Sequence, residues 1–342
     1  MVHHFGWTPI DLVGAAFSLP LVSLGLAGLI VVGMRVLARA RHATRGSAAS
    51  SVAARYVPER RTLGIAAIAV IVLFAGQDVI LGYVIELSDA IAWWRYATPV
   101  WSACVAIVVV WGVVLVHGTT PPESPTLSGT RRTCLGFGPR IGLIGAAAAL
   151  VALVATTVAA GITSSPDGQG QWVWLVIPVP NEAQIDPVRV VFYGWAYGVP
   201  VLVAAAALVA STWVALRGNA MRPYLRPDTV TQEGVARRSG ARGIVRLATA
   251  GLLLALAGAW RLIGDAGSAG SLTILGVNEG RPYEAAWQYA EFALDARWGA
   301  PVLEIVAFVL LLLVGTGLLG ARRAPLVPLP VVPEAVGAEA VR

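Results

Sequence analysis

Six polar side chains lie within or close to the ends of long apolar stretches, where an ionisable group is costly unless it has a partner or a function. They are Asp78, Arg95, Tyr96, Arg261, Asp295 and Glu304. If their segments bundle together, the two arginines could offset the three carboxylates, because a buried carboxylate needs a counter-charge. A network of this kind predicts a proton or ion relay, or a ligand site.

An interfacial role is the alternative for some of these groups, because long side chains near a helix end can reach the lipid headgroups. We interpret Arg261 and Asp295 in this way, together with their neighbours Asp265 and Arg297. Asp78 differs, since it lies about two-thirds of the way through an apolar stretch that contains no arginine. We therefore interpret Asp78 as functional.

The elements that position these residues are apolar runs long enough to cross a bilayer as helices. Hydrophobic residues make up 57% of the chain and charged residues only 13%, and the mean hydropathy is +0.72. This composition predicts an all-α, polytopic membrane protein with one seven-helix domain over 1–323 and a proline-rich cytoplasmic tail over 324–342. The predicted spans are 10–36, 62–86, 91–116, 140–163, 190–216, 243–264 and 299–320.

Arginine placement predicts the orientation. Twenty of the 25 basic residues, all of them arginine, fall in the loops after spans 1, 3 and 5 and in the tail. Cytoplasmic loops are enriched in basic residues, so the N-terminus is expected outside and the C-terminus in the cytoplasm of a prokaryotic plasma membrane. The outer loops, 164–190 and 265–298, are rich in tryptophan and could contact another subunit or a second copy. Within the first, the alternation of 171–177 predicts a short strand.

Several chemistries are disfavoured by the residue types. Cys104 lies in an apolar run and Cys134 in a polar loop, so we expect neither a disulfide nor a metal site. The four histidines are peripheral, which argues against a haem and against a nucleophile–histidine pair. The topology explains the arginines without nucleic acid. We therefore expect a protein that is not an enzyme and has no cofactor, with the lipid bilayer as its partner.

Five short stretches resemble segments of the microbial rhodopsins, in the same order along the chain. They are Leu81-Gly82-Tyr83, Trp93-Trp94-Arg95-Tyr96 with Pro99, Met221-Arg222-Pro223, Trp260 with Ile263-Gly264, and Leu294-Asp295. The resemblance implies a compact bundle in which Arg95, Tyr96 and Asp295 line a central pocket. Asp78 would face that pocket, and the aromatic residues Tyr83, Trp94 and Trp260 would belong to it.

The same resemblance has two departures. Gly299 stands four residues after Asp295, where the family carries the lysine that binds retinal, and the chain contains no lysine. Thr98 stands where the family's proton pumps carry an acceptor aspartate. A Schiff base to retinal is therefore excluded, and light-driven pumping is not supported.

Three functions remain open at this stage. The first is a rhodopsin-like bundle without covalent retinal that acts as a sensor, a binding module or a non-pigmented partner. The second is a small ion- or proton-coupled transporter that uses Asp78 and Glu304. The third is an accessory subunit of a membrane complex, which makes contact through the outer aromatic loops.

Overall fold

The computed structural model describes residues 20–41, 50–80, 92–118, 137–180, 184–268, 270–272 and 282–318. Seven long helices lie within these ranges: α1 (Pro20–Arg41), α2 (Ser50–Val79), α3 (Thr98–Gly118), α4 (Arg140–Thr163), α5 (Trp195–Met221), α6 (Val230–Gly267) and α7 (Ala290–Gly315). All of them except α2 contain stretches long and apolar enough to cross a membrane. The protein is therefore a mostly helical, multi-pass membrane protein, as its composition predicts.

Helix α6 is the centre of the bundle. It packs against α2, α3, α4, α5 and α7, and α1 packs mainly on α7. Most residues of α6 between 243 and 259 are buried, including Ile244, Leu247 and Leu254. A helix that is apolar on all sides is expected in the interior of a bundle, which explains why α6 takes this position.

Two short sheets cap one end of the bundle. Strand β2 (Trp172–Ile177) pairs antiparallel with β1 (Ser165–Pro166) and with β3 (Val188–Val191). The burial of alternate β2 residues confirms the strand expected from the sequence pattern. Two further strands, β4 (Ser271–Leu272) and β5 (Tyr283–Glu284), form a small hairpin-like pair before α7. We call this end of the bundle the sheet end and the opposite end the arginine end.

Helix α4 coincides with the predicted span 140–163, whereas the other helices begin or end several residues from the predicted spans. Helix α3 begins at Thr98 rather than at 91, with Pro99 in its first turn, where a missing N–H has no cost. Helix α5 begins at Trp195 rather than at 190, because Val188–Val191 pairs with β2. Helix α7 begins at Ala290 and ends at Gly315, rather than running from 299 to 320.

The largest differences between a helix and its predicted span are in α2 and α6, because both helices extend well beyond their apolar parts at the arginine end. Helix α2 begins at Ser50 rather than 62, and α6 begins at Val230 rather than 243. Both extensions are rich in arginine, which favours a loop when only hydropathy is considered. They are helical because buried ion pairs join them, as described below. The start of span 1, the end of span 2 and the proline-rich tail lie outside the described residues.

Candidate functional site

Of the predicted network, the structure brings together Arg261 and Glu304. The carboxylate of Glu304 is 1% exposed, and its Oε1 accepts a hydrogen bond of 2.5 Å from Nη2 of Arg261. Its Oε2 accepts a second hydrogen bond of 2.9 Å from Oγ of Ser23 on α1. Sequence reasoning missed Ser23, because a serine in an apolar run carries no signal of its own. These contacts join α1, α6 and α7, and they supply the buried carboxylate with a counter-charge and a second donor.

The described contacts of the other predicted residues lie elsewhere in the bundle. Arg95 and Asp295 are both exposed, and the guanidinium of Arg95 lies 5.8 Å from the centroid of the Tyr96 ring. Gln77 donates a hydrogen bond of 3.0 Å to the carbonyl of Arg95, which ties α2 to the start of α3. Asp78 lies in α2, and its side chain is outside the described part of the structure. The relay from Asp78 to Glu304 therefore remains a prediction.

Tyr96 belongs to a cluster that sequence reasoning also missed. Its ring makes edge-to-face contacts with Tyr193 and Tyr197, at centroid distances of 5.5 and 5.2 Å. The hydroxyl of Tyr193 lies 3.5 Å from Oγ1 of Thr157 on α4. Aromatic pairs of this geometry stabilise packing beyond their buried area. The cluster joins α3, α4 and α5 beneath the sheet, which indicates a structural role for Tyr96.

Of the predicted pocket aromatics, the structure describes Trp94 and Trp260. Trp94 is exposed, and Tyr83 lies outside the described residues. Trp260 is half-buried, and its indole Nε1 donates a hydrogen bond of 3.2 Å to Oγ1 of Thr156 on α4. A Cβ at Gly299 would lie 2.7 Å from Cζ3 of Trp260. Gly299, which the sequence resemblance aligns with the retinal-binding lysine, thus lies directly against the Trp260 ring.

A groove lies beside Trp260, bounded by α4, α6 and α7. We call it the apolar groove, and its volume is about 620 Å³. Its α4 wall consists of glycine and alanine, and α6 and α7 contribute larger side chains such as Leu256 and Leu303. Small residues on one helix leave room for another molecule between packed helices. Arg242 and Arg246 lie at the arginine end of the groove.

The same two arginines also line a second cavity, of about 440 Å³, which we call the arginine cavity. Arg35 from α1 and Arg60 from α2 complete a set of four guanidinium groups. Nη2 of Arg35 donates a hydrogen bond of 2.9 Å to the carbonyl of Thr316, just after α7. Among its described lining residues there is no carboxylate. Such a cavity suits an anion, because guanidinium groups bind phosphate and carboxylate through paired hydrogen bonds.

A third cavity of about 400 Å³ lies at the sheet end, between α4, α6 and the start of α7. We call it the aromatic cavity, because Phe192, Trp287, Tyr289 and Phe292 line it. Thr156, the partner of Trp260, contributes to its α4 wall. The ring of Phe292 lies 6.4 Å from that of Trp260 in an edge-to-face arrangement. The hydrogen bond between Thr156 and Trp260 is therefore where the aromatic cavity meets the apolar groove.

A buried set of ion pairs at the arginine end forms the second arginine-rich site, which we call the charged network. Its residues are Arg55, Tyr56, Glu59, Arg222, Glu233 and Arg237. Arg237 is fully buried, and it donates hydrogen bonds to the carbonyls of Arg222 and Pro223 at 2.8 and 3.0 Å. Its guanidinium carbon lies 4.0 Å from the centroid of the Tyr224 ring.

Glu233 is the centre of this charged network. Its carboxylate accepts hydrogen bonds from the Tyr56 hydroxyl at 3.2 Å and from Oγ1 of Thr229 at 2.8 Å, and it lies 3.4 Å from Arg237. Burial raises the pKa of Tyr56, which keeps the phenol protonated as a donor to Glu233. The spacing of four residues between Glu233 and Arg237 was the available sequence signal. It was missed because their segment was interpreted as a loop.

No protein-family model, no curated protein and no solved structure matches the chain.

Proposed function

We propose that this protein binds an anionic amphiphile, with the charged headgroup in the arginine cavity and the hydrocarbon chain in the apolar groove. The observation that carries the proposal is that Arg242 and Arg246 line both spaces. A molecule that fills both must have a negative charge next to an apolar chain. This deepens the prediction of a non-enzymatic binding module, and it makes the lipid bilayer the source of the ligand.

The proposed topology accounts for where the headgroup lies. The apolar part of α2, 62–80, would supply a seventh crossing beside the six apolar helices. Because cytoplasmic loops are enriched in arginine, the arginine cavity would lie at the cytoplasmic surface of a prokaryotic plasma membrane, with the N-terminus and the sheets outside. The arginine cavity would lie at the depth of the headgroups of the inner leaflet, where anionic lipids are available.

The test is lipid binding by the purified full-length chain, measured by native mass spectrometry with phosphatidylglycerol and phosphatidylcholine of the same acyl chains. We expect phosphatidylglycerol to bind more tightly, and the double variant R242Q/R246Q to lose about tenfold or more in affinity, because each charge-assisted hydrogen bond contributes about 1.5–3 kcal/mol. The matched control is R217Q/R238Q, since both of those arginines are exposed and line neither cavity.

Two outcomes would contradict the proposal. One is equal binding of the two lipids by the unmodified protein, and the other is an equal loss in both double variants. Inorganic phosphate, added as a competitor, separates a headgroup from a small free anion. If phosphate alone displaced the lipid at equimolar concentration, the apolar groove would contribute nothing and the site would be one for a soluble anion.

Ion- or proton-coupled transport is a second candidate, because Glu304 is a buried carboxylate in the middle of α7. Its pairing with Arg261 and Ser23 gives the carboxylate a counter-charge and a hydrogen-bond donor, which favours a structural role over proton exchange. The test is proton flux into vesicles that contain the protein, with E304Q as the variant. Loss of flux in correctly inserted E304Q would support transport, and unchanged flux would remove Glu304 from it.

A rhodopsin-like arrangement and an accessory role through the aromatic loops remain predictions. In a rhodopsin-like arrangement, the Trp260 ring that lies against Gly299 would occupy the space that the retinal-binding lysine fills in rhodopsins. The accessory role is supported by exposed aromatic residues at the sheet end, such as Trp172 and Tyr289. Purification in mild detergent as a lone monomer would count against it.

A further inference from the structure

The three cavities follow one another along helix α6. Arg242 lines the arginine cavity, Leu253 and Leu256 line the apolar groove, and Ile263 lines the aromatic cavity. Helix α6 is continuous over this range, so the 21 residue-to-residue steps from Arg242 to Ile263 span about 31 Å at a rise of about 1.5 Å per step. That length is close to the whole hydrocarbon thickness of a bilayer, about 30 Å.

Helix α4 forms a common wall along the same path. Residues from Gly142 to Ala152 line the apolar groove, and residues from Thr156 to Thr163 line the aromatic cavity. The two spaces meet at the Trp260–Thr156 hydrogen bond, with Phe292 against the far side of the Trp260 ring. A single chain can therefore follow α6 from the arginine end to the sheet end while it remains in contact with protein.

The length of this path decides between classes of amphiphile. A phospholipid held by its headgroup at the arginine end has acyl chains that reach the bilayer midplane, which is about 15 Å away. The acyl chains of such a phospholipid would fill half of the path and would not reach the aromatic cavity. A ligand that uses the full path needs one chain about twice as long, together with a compact anionic headgroup that fits a cavity lined by four arginines.

We infer that the occupant is a polyprenyl phosphate, with its phosphate in the arginine cavity and its isoprenoid chain along the apolar groove and into the aromatic cavity. This inference rests on the proposed binding of an anionic amphiphile and names its class. Phosphate has the charge and the oxygen geometry that guanidinium groups bind. Methyl-branched, unsaturated isoprene units pack against the Trp260, Phe292 and Trp287 rings along the second half of the path.

The experiment compares undecaprenyl phosphate with farnesyl phosphate, which carry the same headgroup on a long and a short chain. Binding is measured on the detergent-solubilised full-length protein by native mass spectrometry. Both chains are already out of water in the micelle, so a preference for the longer one must come from the protein surface. We expect undecaprenyl phosphate to bind about tenfold more tightly, because the dispersion contacts of the longer chain with the protein are individually small but add up along the path.

Two matched variants on α4 test where the chain lies. Ala159 lines the aromatic cavity and is itself exposed, so A159F narrows the cavity without disturbing a buried position. Ala155 lies one turn away on α4, is also exposed and lines none of the three cavities, so A155F is the control. We expect A159F to lower the affinity for undecaprenyl phosphate about fivefold or more, to leave farnesyl phosphate within about twofold, and A155F to change neither.

The outcomes separate this inference from the proposed function. If the two phosphates bind equally and A159F has no effect, while R242Q/R246Q still weakens both, the chain does not follow α6 and the inference is overturned, but binding of an anionic amphiphile stands. If R242Q/R246Q weakens neither, the headgroup site is wrong and both fail. A chain-length preference that A159F and R242Q/R246Q each remove supports both.

Discussion

The arginine end of the bundle contains two clusters of arginine side by side, and they differ in what surrounds the charge. In the charged network, Glu59 and Glu233 pair with Arg222 and Arg237, and backbone carbonyls satisfy further guanidinium protons. In the arginine cavity, four guanidinium groups face a space whose described lining has no carboxylate. The carboxylates of the charged network come from the chain itself, whereas no described residue that lines the arginine cavity supplies one.

The two clusters are carried by neighbouring turns of one helix. Arg237 and Arg242 are five residues apart on α6, so they point to different sides of it. Arg237 points toward the connection from α5 and is fully buried, and Arg242 points toward α4 and the end of α7 and is exposed. Residue type alone therefore does not distinguish a structural arginine from one that lines a cavity. The difference comes from the residues that surround each guanidinium group in the folded chain.

The largest expected effect is from breaking the charged network. E233Q removes the charge that Arg237 and Arg55 face in a buried site, and we expect it to lower the free energy of unfolding by about 3–5 kcal/mol. Thermal unfolding of the purified protein in detergent measures this loss. The control is E291Q in the first turn of α7, where the glutamate is exposed. An equal change in both variants would mean that the network contributes no more than a surface charge.

A smaller loss is expected at the other buried pair. E304Q leaves Arg261 without its carboxylate, but the Arg261 side chain is 26% exposed and can still reach solvent or headgroups. The free energy of unfolding should therefore fall by about 1–3 kcal/mol, less than in E233Q. The same unfolding measurement compares them. A larger loss in E304Q than in E233Q would show that the Arg261–Glu304 pair is the more important structural contact.

Tyr56 gives a test of the charged network that depends on pH. Y56F removes one hydrogen bond to Glu233, at a cost of about 1 kcal/mol. Since burial raises the pKa of Tyr56 in the folded protein, the unfolded chain loses this proton first as the pH rises above about 10, and the stability that Tyr56 contributes declines from there. The difference in melting temperature between the unmodified protein and Y56F should therefore shrink above that pH. A constant difference would contradict this account.

The smallest expected effect on stability is an increase in the free energy of unfolding, and it concerns the arginine cavity. Arg242 and Arg246 are like charges four residues apart on one helix, so in lipid-free detergent R242Q/R246Q should raise the free energy of unfolding by about 0.2–0.5 kcal/mol. Addition of phosphatidylglycerol should make the unmodified protein more stable than R242Q/R246Q, because only the unmodified protein gains stability from binding the lipid. Loss of stability in the variant without lipid would show that these arginines have structural partners like those of Arg237.

The elements with a strong local pattern were predictable. The limits of α4 follow from an uninterrupted apolar run between Arg140 and Thr163, and β2 follows from its alternation. The extensions of α2 and α6 were not, because an arginine-rich segment has the composition of a loop until its charges are paired. Arg261 and Glu304 could be identified as candidates, since an ionisable group in an apolar run stands out. Their partner Ser23 could not, because its role depends on how α1 packs against α7.

Two properties of this protein follow from the sequence alone, namely its membrane environment and the distribution of its charges. Apolar runs of helical length require a bilayer, the absence of lysine excludes a retinal Schiff base, and the arginines collect at one end. The folded chain shows in addition that α6 is central, that Arg237 is enclosed while Arg242 lines a cavity, and that three cavities follow one another along α6. The physical reason is that charge and hydropathy are properties of residues, whereas pairing and empty space are properties of surfaces that meet from distant parts of the chain.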